Sequence, residues 1–491
     1  METLPRTYRK DALVIFLLLA FFFAFFYQDG AWNGNSRFGL IFASVQEGRL
    51  SIDHYYNEEG TKTGDLSTYD GHYYSDKAIG PAVIGAIFYA PISWVQHIFH
   101  HPSQETVKVI LTFLVIGLPS AIAGSLMYIL CLYLSRNRLR SYLITLAITL
   151  GTLYLPYSIT FFSHQLASSL LFSAFFIIFF LKESHGKTRG GYLFLIGLFL
   201  GWAFISEYPS AVIILALGIY YFYAVWKEQS GRRVRLILLP LLGGLIPVFL
   251  QLVYNRLCFG SFFSLGYSNL DNQYFSSSMS QGVMGIHWPS LSALYYMTLH
   301  PAMGLFWESP VLILAVFGAI RMFHQKQYRS EAFLAIGIIL SYMIMISGYY
   351  MWWGGYALGP RHLIPILPYF CIFLAFVPRR FNLPLAGLGL LSIGQMLIGA
   401  ASTVQVPDTM VAQLNSLGYF AYSNLYSFCL PQLLKGNFTQ NLGHRFLHLN
   451  SWSSLVPLFV VFAGVTLFFF WNEMRSLRRS NQAPSKSAQT K

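Results

Sequence analysis

Charge is what this sequence has least of. Only 10% of its 491 residues are Asp, Glu, Lys or Arg, against roughly 25% in an ordinary soluble domain. That scarcity excludes a soluble globular enzyme, whose surface so few charges cannot cover. Disorder is excluded from the other side, since it needs low hydrophobicity and 55% of the chain is apolar. Cysteine is also rare. Cys131, Cys258, Cys371 and Cys429 show neither metal-ligand spacing nor a disulfide pattern, so they are read as isolated thiols. No pair of Asp residues two positions apart occurs, and nothing resembles a P-loop, a dinucleotide-binding turn or a Ser/His/Asp nucleophile set.

What is abundant is apolar and aromatic. Phe and Tyr number 44 and 32, as expected of rings that meet lipid and fill interfacial belts. A membrane-crossing helix takes about 20 residues, so a chain of this length holds about a dozen. Apolar runs fall at 12–27, 107–134, 141–158, 166–181, 191–206, 209–226, 236–254, 303–320, 332–350, 363–377, 384–403 and 453–471. The first follows Arg6, Arg9 and Lys10 and has no small-residue cleavage site, so it is read as a retained anchor. The expected fold is an all-α polytopic membrane protein of about twelve spans.

The net charge of +13 marks orientation, not a nucleic-acid partner. With both termini inside, alternate loops and the two tails collect 23 of the 32 basic residues, among them Arg136, Arg138 and Arg140. A further apolar run, 78–98, would invert every later loop if it crossed. It also contains Pro81 and Pro91, so it is expected outside, as a re-entrant or membrane-skimming helix buried against protein. Residues 1–472 then form one transmembrane domain with outer loops at 28–106, 255–302 and 404–452. A basic cytoplasmic tail at 473–491 is expected to be disordered. The acids complement this pattern. Eight of the 19 lie between Asp29 and Asp76 in the first outer loop, and only six fall inside.

That loop carries the candidate chemistry. Phe38, Ile41, Phe42 and Val45 recur at helical spacing between Ser36 and Leu50, predicting an amphipathic helix on the outer leaflet. Asp53 follows it, and the segment SDKAIGP places Asp76 and Lys77 directly before the 78–98 helix.

The order of one span, a loop helix, an acid with lysine and a Gly/Pro-started apolar helix resembles the GT-C superfamily of glycosyltransferases. SDKAIGP is similar to the acidic-Lys-Pro-Pro segment of its aminoarabinose and protein-mannose transferase branch. The stretches NRLCFGSFFSLGY, GLFWESPVL and WWGGYALGPRHLIPILP look like an uncharacterised bacterial branch of it. The resemblance implies transfer of a hexosyl or pentosyl group from a polyprenyl-phosphate donor to a glycan, lipid or protein acceptor, at the outer face of the cell membrane. One departure stands out. Where the superfamily carries an acidic pair at the start of the loop helix, this chain reads Asn33-Gly34-Asn35-Ser36-Arg37.

An inverting transfer needs a carboxylate to take the acceptor proton and cations to stabilise the departing phosphate. Asp76 is the first candidate base and Asp53 the second. Arg361, with His362 beside it, is the leading phosphate ligand because a guanidinium fork matches phosphate oxygens. Lys77 and Arg37 are further phosphate candidates. Glu207, His164 and Glu308 are ionisable groups at predicted outer helix ends; Glu207 reads equally well as a structural ion-pair partner of an outer-loop arginine, while His164 and Glu308 read more readily as structural groups than as substrate ligands. Tyr74 belongs to an aromatic pair suited to stacking on a sugar or to an interfacial belt. No cofactor is specified, with a divalent cation left open. The rival readings are a secondary transporter or lipid/glycolipid flippase, which predicts repeats and mid-span charges, and an O-antigen-type polymerase or ligase, which would concentrate its function in the late loop holding Asp408, His444, Arg445 and His448.

Overall fold

The computed structural model describes residues 6–99, 102–184, 190–225, 233–407 and 423–482. Several residues of the charge pattern lie outside them: Glu2, Lys187, Arg189, Lys227, Glu228, Arg232, Asp408, Lys486 and Lys491.

Within the described residues the fold is almost wholly helical. Eight helices are long and apolar enough to cross a membrane: Gly80–Phe99, Gln104–Ser135, Ser163–Glu183, Tyr208–Val225, Val234–Phe259, Lys326–Ser347, Arg379–Ala401 and Ser451–Arg475. Shorter apolar helices cover Gly190–Ser206, Pro310–Phe323 and Arg361–Phe376. Helices close every backbone hydrogen bond internally, so they are what so apolar a chain can offer to a bilayer. Helix Ser163–Glu183 lies at the centre and is nearly covered, whereas Val234–Phe259 and Ser451–Arg475 remain mostly uncovered. The chain is a helical, polytopic membrane protein.

The segments that charge placed together share one end of the bundle. Arg138 pairs with Asp11 at 2.6 Å, Asn137 donates to Glu473, and Arg140 donates to Asn382. All four cysteines are free and buried.

Three local features differ from the sequence reading. After the first helix, α1 (Arg6–Phe25), the loop helix α2 (Ala31–Phe42) starts before Ser36 and is buried from Gly34 to Phe42. It is a wedge inside the protein rather than a float on a leaflet, because its polar side chains Asn35, Ser36 and Arg37 have protein partners. A π-turn, Ala43–Glu47, continues it and stops at Gly48 in the left-handed region. The segment after Lys77 forms a single continuous helix, α3 (Gly80–Phe99), with Pro91 inside it. The burial expected of it is confined to Gly80, Pro81, Ala82, Gly85 and Tyr89. Finally, the last helix runs on through Gln482, ten residues into the segment read as tail.

Between α2 and α3 lies a small hairpin, β1 (Leu66–Tyr69) against β2 (His72–Ser75), paired Leu66 to Ser75 through Tyr69 to His72. Its two-residue turn is Asp70-Gly71, with φ of 50° and 79°. Two positive φ values are what a tight hairpin turn matched to strand twist requires. The hairpin delivers Ser75, Asp76 and Lys77 to the top of α3.

Candidate active site

Four chain segments meet at the loop end of the bundle. α2 brings Arg37, the hairpin exit brings Asp76 and Lys77, helix Ser163–Glu183 begins with Ser163 and His164, and Glu207 stands between helices Gly190–Ser206 and Ala211–Val225. A close approach pins them. A Cβ on Gly80 would fall 2.1 Å from Ser206 Oγ, and Trp202 Nε1 donates to the Gly80 carbonyl at 3.1 Å. Only glycine lets α3 start against the residue that precedes Glu207.

Asp76 is buried, its side chain 2% exposed. One carboxylate oxygen sits 3.0 Å from Lys77 Nζ, and the same ammonium lies 3.0 Å from Asp65. The other oxygen, Oδ1, is buried without a hydrogen-bond partner. Burial raises the Asp76 carboxyl, Lys77 opposes it and Asp65 adds to it, leaving the group near pH 6. Lys77 itself is held charged, because the two carboxylates outweigh the burial that would lower it. A backbone lid crosses here: a Cβ on Gly266 would lie 3.1 Å from Asp76 Cα, and Ser67 donates to the Gly266 carbonyl.

A second strand of contacts runs from Arg37. Its guanidinium donates to Asn33 and to Ser163 Oγ at 2.8 Å, while Nε is left without a partner. Ser163 Oγ donates in turn to Glu207 at 2.8 Å. His164 Nδ1 is 2.8 Å from the same Glu207 oxygen but off the line of a hydrogen bond. Burial would raise the Glu207 carboxyl, yet His164 and the Ser163 bond hold it down to about 2. Arg37 feels Tyr267, Glu207, Asp76 and Asp65 together, so the two strands form one electrostatic group.

Arg361 and His362 close the group from the other side. Arg361 places its guanidinium carbon 4.7 Å over the Phe162 ring and leaves Nε buried without a partner. The His362 ring packs edge-on to His164, with centroids 4.9 Å apart, and its Nε2 is buried without a partner. Glu308 is fully buried with both oxygens unpartnered, and a Cβ on Gly359 would fall 2.4 Å from one of them.

Of the sequence candidates, Asp76, Lys77, Arg37, Glu207, His164, Arg361 and His362 therefore converge. Asp53 does not join them. It accepts from the Tyr73 amide and bonds His72 Nδ1, both at 2.7 Å, and so braces the hairpin. Those bonds outweigh its partial burial and lower its carboxyl. Tyr74 packs edge-on against Phe259 at 5.4 Å. Sequence reading missed Asp65, Ser163 and Tyr267. Asp65 carried a signal as one of the clustered loop acids, but Ser163 and Tyr267 carried none. A separate cavity of about 710 Å³ includes none of these residues and is lined by Asp29, Glu59, Glu105, Lys108 and Gln440 among others. It connects to α2 where Lys108 Nζ donates to Asn35.

Buried acids and cations held at one end of a helical membrane bundle define the class: a polytopic membrane protein with a charged, partly unsatisfied site. No protein-family model matches the sequence, and no curated protein matches it. Among solved structures, the chain is similar to ArnT from Cupriavidus metallidurans in the apo state, at 12% identity and a TM-score of 0.47, covering 94% of this chain and 76% of that one. It is likewise similar to ArnT from the same organism bound to undecaprenyl phosphate, at 12% identity and a TM-score of 0.46, covering 95% and 76%.

Proposed function

We propose that this chain is an integral-membrane glycosyltransferase of GT-C type, moving a hexosyl or pentosyl group from a polyprenyl-phosphate donor to a hydroxyl of a glycan, lipid or protein acceptor. The loop end faces outward and both termini face the cytoplasm, following the distribution of basic residues. The observation that carries this reading is Asp76: a buried carboxylate with one oxygen on Lys77, the other free, and the Arg37 guanidinium in the same electrostatic group.

In the reaction, Asp76 Oδ1 takes the proton of the acceptor hydroxyl as its oxygen forms a bond to the anomeric carbon. The bond from that carbon to the donor phosphate oxygen breaks, and the electron pair leaves on the polyprenyl phosphate. Arg361 and Arg37, each with a buried Nε lacking a partner, stabilise the charge that grows on the phosphate. Lys77, held by Asp65 and Asp76, fixes the base in place and keeps its charge balanced. The absence of ionisable side chains between His164 and Lys182 in the central helix fits an enzyme with its site at one end better than a carrier with charges at mid-span.

The test is transfer from a panel of polyprenyl-phosphate sugars by purified protein in lipid nanodiscs. Asp76→Asn should lower transfer by about 10²–10⁴-fold while the protein elutes and melts like the parent. Undiminished transfer by that variant removes Asp76 as the base, and no transfer by the parent from any donor removes the reading.

A further inference from the structure

His164, Glu207 and His362 offer three donor atoms that all lie within 4.8 Å of one another. They come from three distant chain segments, so their convergence is a tertiary arrangement and not a helical repeat. A His–Glu ion pair explains part of it, since His164 Nδ1 is 2.8 Å from Glu207. It does not explain why that nitrogen misses hydrogen-bond geometry, nor why His362 Nε2 is buried beside it with no partner at all. An orphaned imidazole nitrogen beside another that meets its carboxylate off the hydrogen-bond line is costly in a folded protein. A metal ion among them satisfies both.

We propose that these three residues bind one divalent transition-metal ion, zinc or a zinc-like ion, through His164 Nδ1, a Glu207 oxygen and His362 Nε2. Two imidazoles and one carboxylate are the ligand set of open zinc sites, with metal-to-ligand distances of about 2 Å and a fourth position free. The surroundings supply the outer shell such ligands need. Ser163 Oγ donates to Glu207 and receives Arg37, and the Met351 carbonyl bonds the His362 ring. Glu207 is 13% exposed, which leaves a way in.

The neighbouring cations sharpen the proposal. Arg37 and Arg361 repel a bare dication, so the fourth ligand is an anionic oxygen, a phosphate, that both the metal and the guanidiniums hold. Metal and phosphate then bind with positive coupling, each tightening the other by the same factor. The metal site rests on geometry alone. Its use in holding a donor phosphate rests on the transferase reading.

The experiment uses untagged full-length protein in detergent, stripped with a chelator and titrated with Zn²⁺ or Co²⁺. Expected is one ion per chain by elemental analysis after gel filtration, with Co²⁺ giving the intense visible absorption of a four-coordinate site. Loss of even an outer-shell partner costs about 10–100-fold in metal affinity, so His362→Ala and His164→Ala should each weaken binding by about 100-fold or more. His362→Gln, which keeps the volume, guards against misfolding and should weaken it alike. Inorganic phosphate should tighten Co²⁺ binding several-fold and shift its spectrum. Substoichiometric metal, or parent-like affinity in both His362 variants, overturns the site. A phosphate-independent affinity overturns the anionic fourth ligand. Protein that transfers sugar equally well when metal-free overturns the metal's role alone, and metal-loaded protein that transfers no sugar overturns the transferase reading alone.

Discussion

The two ends of helix Ser163–Glu183 hold buried charge in opposite ways. They are about 27 Å apart at 1.5 Å per residue. At the Lys182 end, Lys182 lies 2.6 Å from Glu331, which also accepts from Tyr220 and Ser330, and Tyr133 donates to Glu183. The nearby Asp11 carboxylate accepts from Arg138 Nε and one of its terminal nitrogens, and from the Tyr128 hydroxyl. Those carboxylates all have partners; Arg140 Nε is orphaned at this end too, but its other two guanidinium nitrogens are held by Asn382 and by the Leu374 and Val377 carbonyls. At the His164 end, Asp76 Oδ1, Arg37 Nε, Arg361 Nε and His362 Nε2 are all buried and unmatched. Saturated charge locks a fold, whereas buried charge with spare bonding capacity waits for something to bind. A buried ion pair contributes little net stability over an apolar isostere, but breaking it by removing one partner is expensive. The two ends should therefore respond to mutation in different observables.

The largest expected effect lies at the unsaturated end. Asp76→Asn should lower kcat by about 10²–10⁴-fold, the usual weight of a general base, with a melting temperature close to the parent's. A large loss of stability with little loss of rate would erase the contrast between the ends. The counterpart, Asp11→Ala, should cost about 3 kcal/mol of stability by stranding Arg138, while the rate per folded molecule stays near the parent's. Thermal unfolding in detergent and active-fraction-corrected kinetics read the two quantities separately.

A smaller effect comes from pH. Because the Asp76 carboxyl is raised to about 6, kcat/KM should fall on the acid side of pH 6 as the base becomes protonated. Stability should move the other way. The fold favours protonated Asp76, so its contribution grows as pH drops from about 6 toward the unfolded value near 4. An acid limb that persists in a residually active Asp76→Asn enzyme would assign it to another group. The smallest effect belongs to Asp53→Asn, which should cost about 1 kcal/mol through weakened bonds to the hairpin and leave kcat unchanged. A drop in kcat comparable to that of Asp76→Asn would return Asp53 to the chemistry.

Much of this was legible in the chain, for physical reasons that differ by residue. Apolar runs long enough to cross a bilayer announce themselves, since hydropathy is local. SDKAIGP marked Asp76 and Lys77 because an acid and a lysine before a Gly/Pro helix start are rare in so apolar a sequence. The hairpin also had a local signal, the Asp70-Gly71 turn, which the helical context masked. The fate of α2 did not show. Its apolar spacing is that of a surface amphipathic helix, and only the partners of Asn35, Ser36 and Arg37 reveal that its polar face is also buried. As loop acids Asp76 and Asp53 rank first and second; the fold separates them outright, giving Asp53 two hydrogen bonds and leaving Asp76 an oxygen without a partner.

By itself, the sequence determined that this is a helical membrane protein built on long apolar runs, and that its acids crowd into one loop. Scarce charge and long apolar runs decide those points, because desolvation acts on each residue where it stands. Only the tertiary structure decided which charges meet. Ser163, Glu207 and Arg37 lie far apart in the chain, yet they share a line of hydrogen bonds, and His362 reaches His164 across nearly two hundred residues. Electrostatic and ligand geometry depend on distances of a few ångströms, and those are set by helix packing, not by order along the chain.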